Sequence, residues 1–235
     1  MKISAVPLTF AIALSLAATG CGGEKGGDIS GIDPKVRFVN AFPDTGAVRA
    51  AVGGSVIGES IDYGTASDYR SLNNDTTSLT AGESSYDDLA ISDSRVLANN
   101  HRYTGIGYGP AGSRRIVCLD NERSDASDNR VALRLFDALS TPSSVDVYFT
   151  RASDGDSLPS SPSVAGVTRG TASSYFGLDI GSGTPVNVRI RVYAAGSRTS
   201  ALEDRTLSLE TRYRGTVIAL DSGADNRPLV VRDNS

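Results

Sequence analysis

Few residues in this chain have the type and spacing that chemistry requires. The single histidine, His101, stands in Asn99-Asn100-His101-Arg102-Tyr103, a turn entering an alternating stretch. An imidazole works as a general base only beside a nucleophile and an orienting acid, and no Gly-x-Ser-x-Gly elbow is present. A surface-turn histidine is the expected role, and one histidine excludes a multi-histidine metal centre. The two cysteines, Cys21 and Cys118, lie in different parts of the chain and are not expected to pair; no Cys/His spacing suits zinc. Cys118 interrupts an apolar run, Ile116 to Leu119, and reads as a small buried hydrophobe. Asn73-Asn74-Asp75 and Asp154-Gly155-Asp156 could offer oxygens to calcium, but neither completes a D-x-D-x-D-G loop, so turns are expected there. Neither catalysis nor a cofactor is expected.

Two tyrosines stand out because their surroundings recur. Gly64-Thr65-Ala66-Ser67-Asp68-Tyr69-Arg70-Ser71-Leu72 returns as Gly170-Thr171-Ala172-Ser173-Ser174-Tyr175-Phe176-Gly177-Leu178. Tyr69 and Tyr175 could stack on a glycan or could anchor a strand to the edge of a sheet. Gly permits a left-handed turn, and Thr and Ser bond nearby backbone. Packing is therefore the expected role of the pair, and ligand contact the alternative.

The recurrence extends along the chain. Val36–Phe42 matches Leu133–Leu139, and Val48–Val52 matches Val145–Phe149, both at an offset of 97. The Gly-Thr-Ala-Ser stretch is offset by 106, Arg102–Gly105 matches Arg212–Gly215 at 110, and Ile116–Asn121 matches Leu229–Asn234 at 113, which pairs Cys118 with Val231. A growing offset fits one duplication followed by loop lengthening, with the first increase around Ala152 to Val164.

These segments read as strands. Val186-Asn187-Val188-Arg189-Ile190-Arg191-Val192-Tyr193 alternates with period two, which sends Arg189 and Arg191 to solvent. Val145, Val147 and Phe149 share one face of another strand, with Asp146 and Tyr148 opposite. The first-copy partner of Val186–Tyr193 is expected around Tyr86 to Ile91. Short strands separated by Gly, Pro, Asn and Asp turns, about a hundred residues per copy, predict an all-β protein of two tandem immunoglobulin-like β-sandwiches.

Composition narrows the partners. Asp and Glu outnumber Lys and Arg, 27 to 23, and the cations are scattered, which argues against nucleic acid. Met1-Lys2, an apolar run from Val6 to Ala18, and Ala18-Thr19-Gly20-Cys21 have the tripartite form of a secretory signal. The small residue before Cys21 resembles the lipobox of bacterial lipoproteins, although Ala18 stands where Leu, Val or Ile is usual. That resemblance implies lipidation of Cys21 and attachment to a membrane; ordinary signal cleavage is the alternative. Gly22 rather than Asp after the cysteine leans towards the outer membrane. The expected organisation is a signal peptide (1–20), acylated Cys21 with a Gly-rich tether (21–33), a first sandwich (34–121), a linker (122–129) and a second sandwich (130–235).

Val36-Arg37-Phe38-Val39-Asn40-Ala41-Phe42-Pro43-Asp44, then Val48–Val52, Gly64-Thr65 to Tyr69 and Tyr103-Thr104-Gly105 resemble the bacterial domain-of-unknown-function family 4397. The second copy keeps Val145-Asp146-Val147-Tyr148 but has Ser140-Thr141 in place of Pro-Asp. The resemblance implies a secreted or cell-surface sandwich and no particular activity. The expected function is that of a non-enzymatic, lipid-anchored envelope protein making structural or adhesive contacts with an envelope protein; binding of a glycan or small ligand is the alternative.

Overall fold

The computed structural model describes residues 33–72, 78–82, 97–121, 125–181, 185–221 and 227–234. The signal segment, Cys21 and most of the Gly-rich tether lie outside the described residues, as do Asn73-Asn74-Asp75, the stretch from Tyr86 to Ile91 and part of the expected linker. Residues Ile32–Ser235 form one compact unit.

The alternating segments become strands, and no α-helix occurs among the described residues. The first half holds β1 (Lys35–Ala41), β2 (Val48–Val52), β3 (Ser55–Ile61), β4 (Thr65–Ala66), β5 (Arg70–Ser71), β6 (Leu79–Gly82), β7 (Arg102–Tyr108) and β8 (Arg115–Asn121). The second holds β9 (Arg130–Asp137), β10 (Ser144–Arg151), β11 (Val164–Thr168), β12 (Phe176–Asp179), β13 (Val186–Ala194), β14 (Glu203–Leu209), β15 (Arg214–Ala219) and β16 (Leu229–Arg232).

Each half is two sheets face to face. In the second, β12-β9-β15-β16 faces β11-β10-β13-β14; in the first, β4-β1-β7-β8, with β5 also on β1, faces β3-β2-β6. Side chains alternate along each strand, so one face of each sheet fills the core. Val131, Leu133 and Leu135 meet Val145, Val147, Phe149, Val188 and Ile190 in the second core. Val36, Phe38, Val48, Ala50, Leu79 and Tyr103 build the first.

The all-β sandwich architecture agrees with the sequence, but the strand order departs from the immunoglobulin expectation. A constant-type immunoglobulin sandwich keeps its first two strands in one sheet. Here β1 and β2 lie in opposite sheets, and β1 sits between β4 and β7, parallel to β7. The pair β9 and β15 repeats this parallel contact. Parallel neighbours cannot be joined by a tight hairpin. The chain therefore crosses to the other sheet directly after β1, through Phe42–Ala47, before returning.

Three further expectations change. The place that β13 holds beside β10 is held in the first half by β6, beside β2, upstream of the stretch from Tyr86 to Ile91. The strand register also corrects the alignment of the last two strands. Thr104 lies opposite Arg37, and Thr216 opposite Arg134, an offset of 112 rather than 110. Cys118 opposes Gly105 and Val230 opposes Val217, so the counterpart of Cys118 is Val230 and that of Asn121 is Asp233. Lastly, Arg191 is only 3% exposed. The loop after β10 covers the outer face of its sheet, and Arg191 donates to the Asp156 carbonyl and to Thr150 Oγ1. Arg189 stays at the surface, paired with Asp204 and Asp156.

Candidate binding site at the junction of the two halves

A third apolar cluster belongs to neither half alone. Val39, Ala41 and Ile106 from the first meet Phe136, Ala138, Ile218 and Val231 from the second, with Tyr108 edge-on to Phe136 at 5.5 Å. The two sheets that contain the parallel pairs thus pack against each other.

Beside this cluster, on the same outward faces of β1, β7, β9 and β15, stand four polar residues that match across the halves: Arg37, Thr104, Arg134 and Thr216. Arg37 Nε donates to Thr104 Oγ1 at 2.9 Å, and Arg134 Nε to Thr216 Oγ1 at 2.8 Å. Each guanidinium then reaches across. Arg37 Nη2 donates to Asp233 Oδ1 at 2.7 Å and Nη1 to the Arg232 carbonyl. Arg134 Nη2 donates to Asn121 Oδ1 at 2.5 Å and Nη1 to the Asp120 carbonyl at 3.2 Å. Tyr69 and Tyr175 complete the arrangement. Asn121 Nδ2 donates to Tyr69 OH, whereas Tyr175 OH donates to Asp233 Oδ2. The Arg37 guanidinium lies 4.6 Å from the Tyr69 ring centre, and Arg134 lies 4.7 Å from that of Tyr175. Burial first, and repulsion from Asp233 with it, raises the pKa of both phenols.

The repeated stretch serves this junction. Gly64 N donates to the Asn40 carbonyl and Gly170 N to that of Asp137, both at 2.8 Å. Thr65 Oγ1 bonds the Asp62 carbonyl and Thr171 Oγ1 that of Thr168. Ser67 Oγ accepts the Phe38 amide and Ser173 Oγ that of Leu135, stitching the stretch to β1 and β9. Both glycines have positive φ, +72° and +74°, and each faces the other half. Tyr108 sits on Gly170, and Leu220, the counterpart of Tyr108, on Gly64.

Beside Tyr175 the junction opens into a cleft of about 480 Å³. Arg130, Arg134, Arg214, Tyr175, Ser127 and Ser174 line it from the second half and its lead-in, and Asp120 from the first. Burial lowers the pKa of Arg214, whose guanidinium also lies 4.7 Å from the Tyr175 ring centre. Such a wall of guanidinium and hydroxyl groups suits hydrogen bonding to a polar ligand more than apolar packing.

Away from this network the matched halves also differ at a buried pair, Asn40 and Asp137. Asn40 Nδ2 donates to the Gly46 and Ile61 carbonyls, and its Oδ1 accepts the Phe42 amide. Its counterpart Asp137, fully buried, accepts the Leu139 amide at Oδ1 and has no partner for Oδ2. Glu203, 2% exposed, accepts the Leu220 amide at Oε1, and its Oε2 likewise has none. Burial, with added repulsion from Asp221, pushes Asp137 up to about 6 and Glu203 to about 8.

The other singled-out residues lie apart from one another. His101 is exposed, and its Nδ1 lies 2.9 Å from Asp120 Oδ2. Cys118 is half-buried against the first core and is in no disulfide among the described residues. Asp154 is in a 3₁₀ turn, and Asp156 pairs with Arg189. Among the described residues no group of three or more Asp, Glu, His or Cys could hold a metal ion. Sequence reasoning missed Arg37, Arg134, Thr104, Thr216, Asn121 and Asp233 as a network. A signal existed, since arginine stands between apolar residues at position 37 and again at 134.

No curated protein matches the chain. A family 26 carbohydrate-binding module from Eubacterium rectale, solved in complex with maltoheptaose, aligns with 86% of this chain and 97% of its own. The identity is 12% and the TM-score 0.30, too loose a likeness to transfer a ligand. The family model described as "Domain of unknown function (DUF4397)" matches from before β1 to Tyr148 in β10, so residues 34–148 carry a DUF4397 domain.

Proposed function

We propose that this chain is a non-catalytic envelope lipoprotein that binds a small hydroxylated ligand, a glycan or a fragment of one, in the cleft beside Tyr175. The observation that carries this reading is the cleft's wall. Arginine and serine side chains converge on a volume suited to a small ligand, and the buried network behind them holds Arg134 in place. A site whose groups are already fixed loses little entropy when a ligand arrives. Titration calorimetry with a panel of mono- and oligosaccharides tests it. Saturable binding that weakens in Arg130→Ala and Ser174→Ala is expected, and no binding by any member of the panel would remove the proposal.

Attachment to a membrane is part of the same reading and rests on Ala18-Thr19-Gly20-Cys21 and the Gly-rich stretch after it. Metabolic labelling with a fatty-acid analogue should mark the wild-type chain and leave Cys21→Ala unmarked. The structural or adhesive reading has one observation in its favour, the fixing of both halves to each other by the Arg37 and Arg134 contacts. A two-sandwich unit locked in this way would present a stiff spacer above a membrane. Cross-linking of the native protein to an envelope partner, together with an empty saccharide panel, would favour it.

A further inference from the structure

We propose, resting on the ligand-binding reading above, that the cleft holds its ligand by a carboxylate, which makes acidic saccharides its ligand class. The argument begins with charge. The junction buries two arginines, Arg37 at 5% and Arg134 at 7% exposure, but among the network's side chains only Asp233 is a carboxylate. Asp233 pairs with Arg37. At the matched position facing Arg134 stands Asn121, which is neutral. The acceptors of Arg134 are an amide oxygen, a hydroxyl and a backbone carbonyl.

A guanidinium has five N–H donors, and these bonds engage three of them. Arg134 is also part of the cleft wall. Arg130 and Arg214 line the same cleft, and Arg130 has no ion pair among the described residues. The one acidic side chain on the wall, Asp120, bonds His101 through both of its oxygens. The cleft is therefore rich in cationic donors behind a partly buried surface, where a charge-assisted bond is stronger than in open water. A carboxylate fits the planar fork of a guanidinium with two parallel bonds. Ser127 and Ser174 add hydroxyls for the neighbouring groups of a sugar ring.

The pseudo-symmetry supplies the test. Asn121→Asp copies Asp233 and gives Arg134 an internal carboxylate, with Tyr69 and Thr104 turning their hydroxyls to donate as Tyr175 and Thr216 do. The purified chain is titrated calorimetrically with digalacturonate and, separately, with maltose. Digalacturonate is expected to bind and maltose not to. Affinity for digalacturonate should fall roughly tenfold or more, about 1.4 kcal/mol, in Asn121→Asp and in the surface variant Arg130→Gln. The second variant keeps the test decisive if the first does not fold. Equal binding of both sugars, sensitive to Arg130→Gln, would overturn the carboxylate and leave the cleft reading standing. Digalacturonate binding that ignores both variants would overturn the proposal by moving the ligand elsewhere. Failure of both sugars to bind would overturn the carboxylate proposal here, and an empty saccharide panel would remove the cleft reading with it.

Discussion

Arg37 on β1 and Asp233 just after β16 lie 2.7 Å apart, although 196 positions separate them in the chain. Arg134 and Asn121 make the reciprocal contact from the other half. A contact made from residue i to j and again from the counterpart of i to the counterpart of j is the geometry of a two-fold interface. The two matched halves therefore meet as two copies of a homodimer would, inside one chain. Most of the polar side chains that make the contact are paired across the repeat: Arg with Arg, Thr with Thr, Tyr with Tyr. Only the Asn121–Asp233 position breaks the match, and it breaks it in charge.

That break makes the two arginines unequal. Arg37→Met leaves the Asp233 carboxylate, fully buried, facing an apolar group, and removing one partner of a buried ion pair costs about 3–5 kcal/mol. Arg134→Met leaves only neutral acceptors short of a donor, the Asn121 amide, the Thr216 hydroxyl and the Asp120 carbonyl, which costs about 1–3 kcal/mol. Urea unfolding of the two variants should place Arg37→Met clearly below Arg134→Met. Equal losses would mean that Asp233 finds another partner.

The glycines of the repeated stretch should also differ. An alanine at either position is strained by a φ above +70°, costing roughly 1–2 kcal/mol. At Gly64 the new Cβ would meet Leu220 Cδ1 at 3.5 Å, an ordinary contact. At Gly170 it would overlap the Tyr108 hydroxyl and lie 2.7 Å from Cζ, so the ring must move out of the junction. Gly170→Ala is expected to be the more destabilising by about 1–3 kcal/mol. Tyr108→Leu, which copies Leu220, should recover much of that difference in thermal melts. If Gly64→Ala is as harmful as Gly170→Ala, the Tyr108 contact is not what decides.

Much of this was legible before the structure and some was not. Period-two alternation in Val145–Phe149 and Val186–Tyr193 revealed the strands because burial of one sheet face writes itself directly into sequence. The buried Arg191 was misread, because alternation shows that a face is not core but not that a loop folds over it. The last strands were misaligned because Arg102-Tyr103-Thr104-Gly105 and Arg212-Tyr213-Arg214-Gly215 look alike, whereas pairing with β1 and β9 fixes the register two residues away. A slip of one at Asn121 hid its match to Asp233 and put the wrong face of β16 towards the junction. Tyr69 and Tyr175 drew attention through repetition, but their partners lie 52 and 58 positions distant, beyond any local pattern.

Asp137→Asn should stabilise the protein, and increasingly so as pH rises. Asn40 shows the alternative at the matched position, with its amide donating to two carbonyls. The folded-state pKa of Asp137, about 6, stands above the ordinary 3.8. Between those values the unfolded chain has released the proton and the folded chain retains it, so rising pH favours unfolding. The asparagine does not titrate. Its advantage should be small below about pH 4, grow to roughly 1–3 kcal/mol by pH 6–7, and then level off. Urea midpoints at pH 4 and pH 7 measure it, and an advantage that is the same at both would rule out ionisation as the cause.

Glu203→Gln extends the same reasoning to a higher window and separates the two carboxyls. Glu203 has a folded pKa of about 8 against an ordinary 4.5, raised first by burial and then by Asp137 and Asp221. Its wild-type penalty should therefore begin near pH 4.5 and continue to grow past pH 6, where that of Asp137 has levelled, up to about pH 8. The glutamine retains an oxygen for the Leu220 amide, so the native hydrogen bond survives the change. The expected gain at pH 8 is roughly 2–4 kcal/mol, after discounting for relaxation around the site. Because the two carboxyls repel each other, the gains should not add. In Asp137→Asn the Glu203 pKa should fall, and Glu203→Gln should then stabilise less than it does in the wild-type chain. A double-mutant cycle at pH 8 reads this directly, and strict additivity would show that the two groups titrate independently.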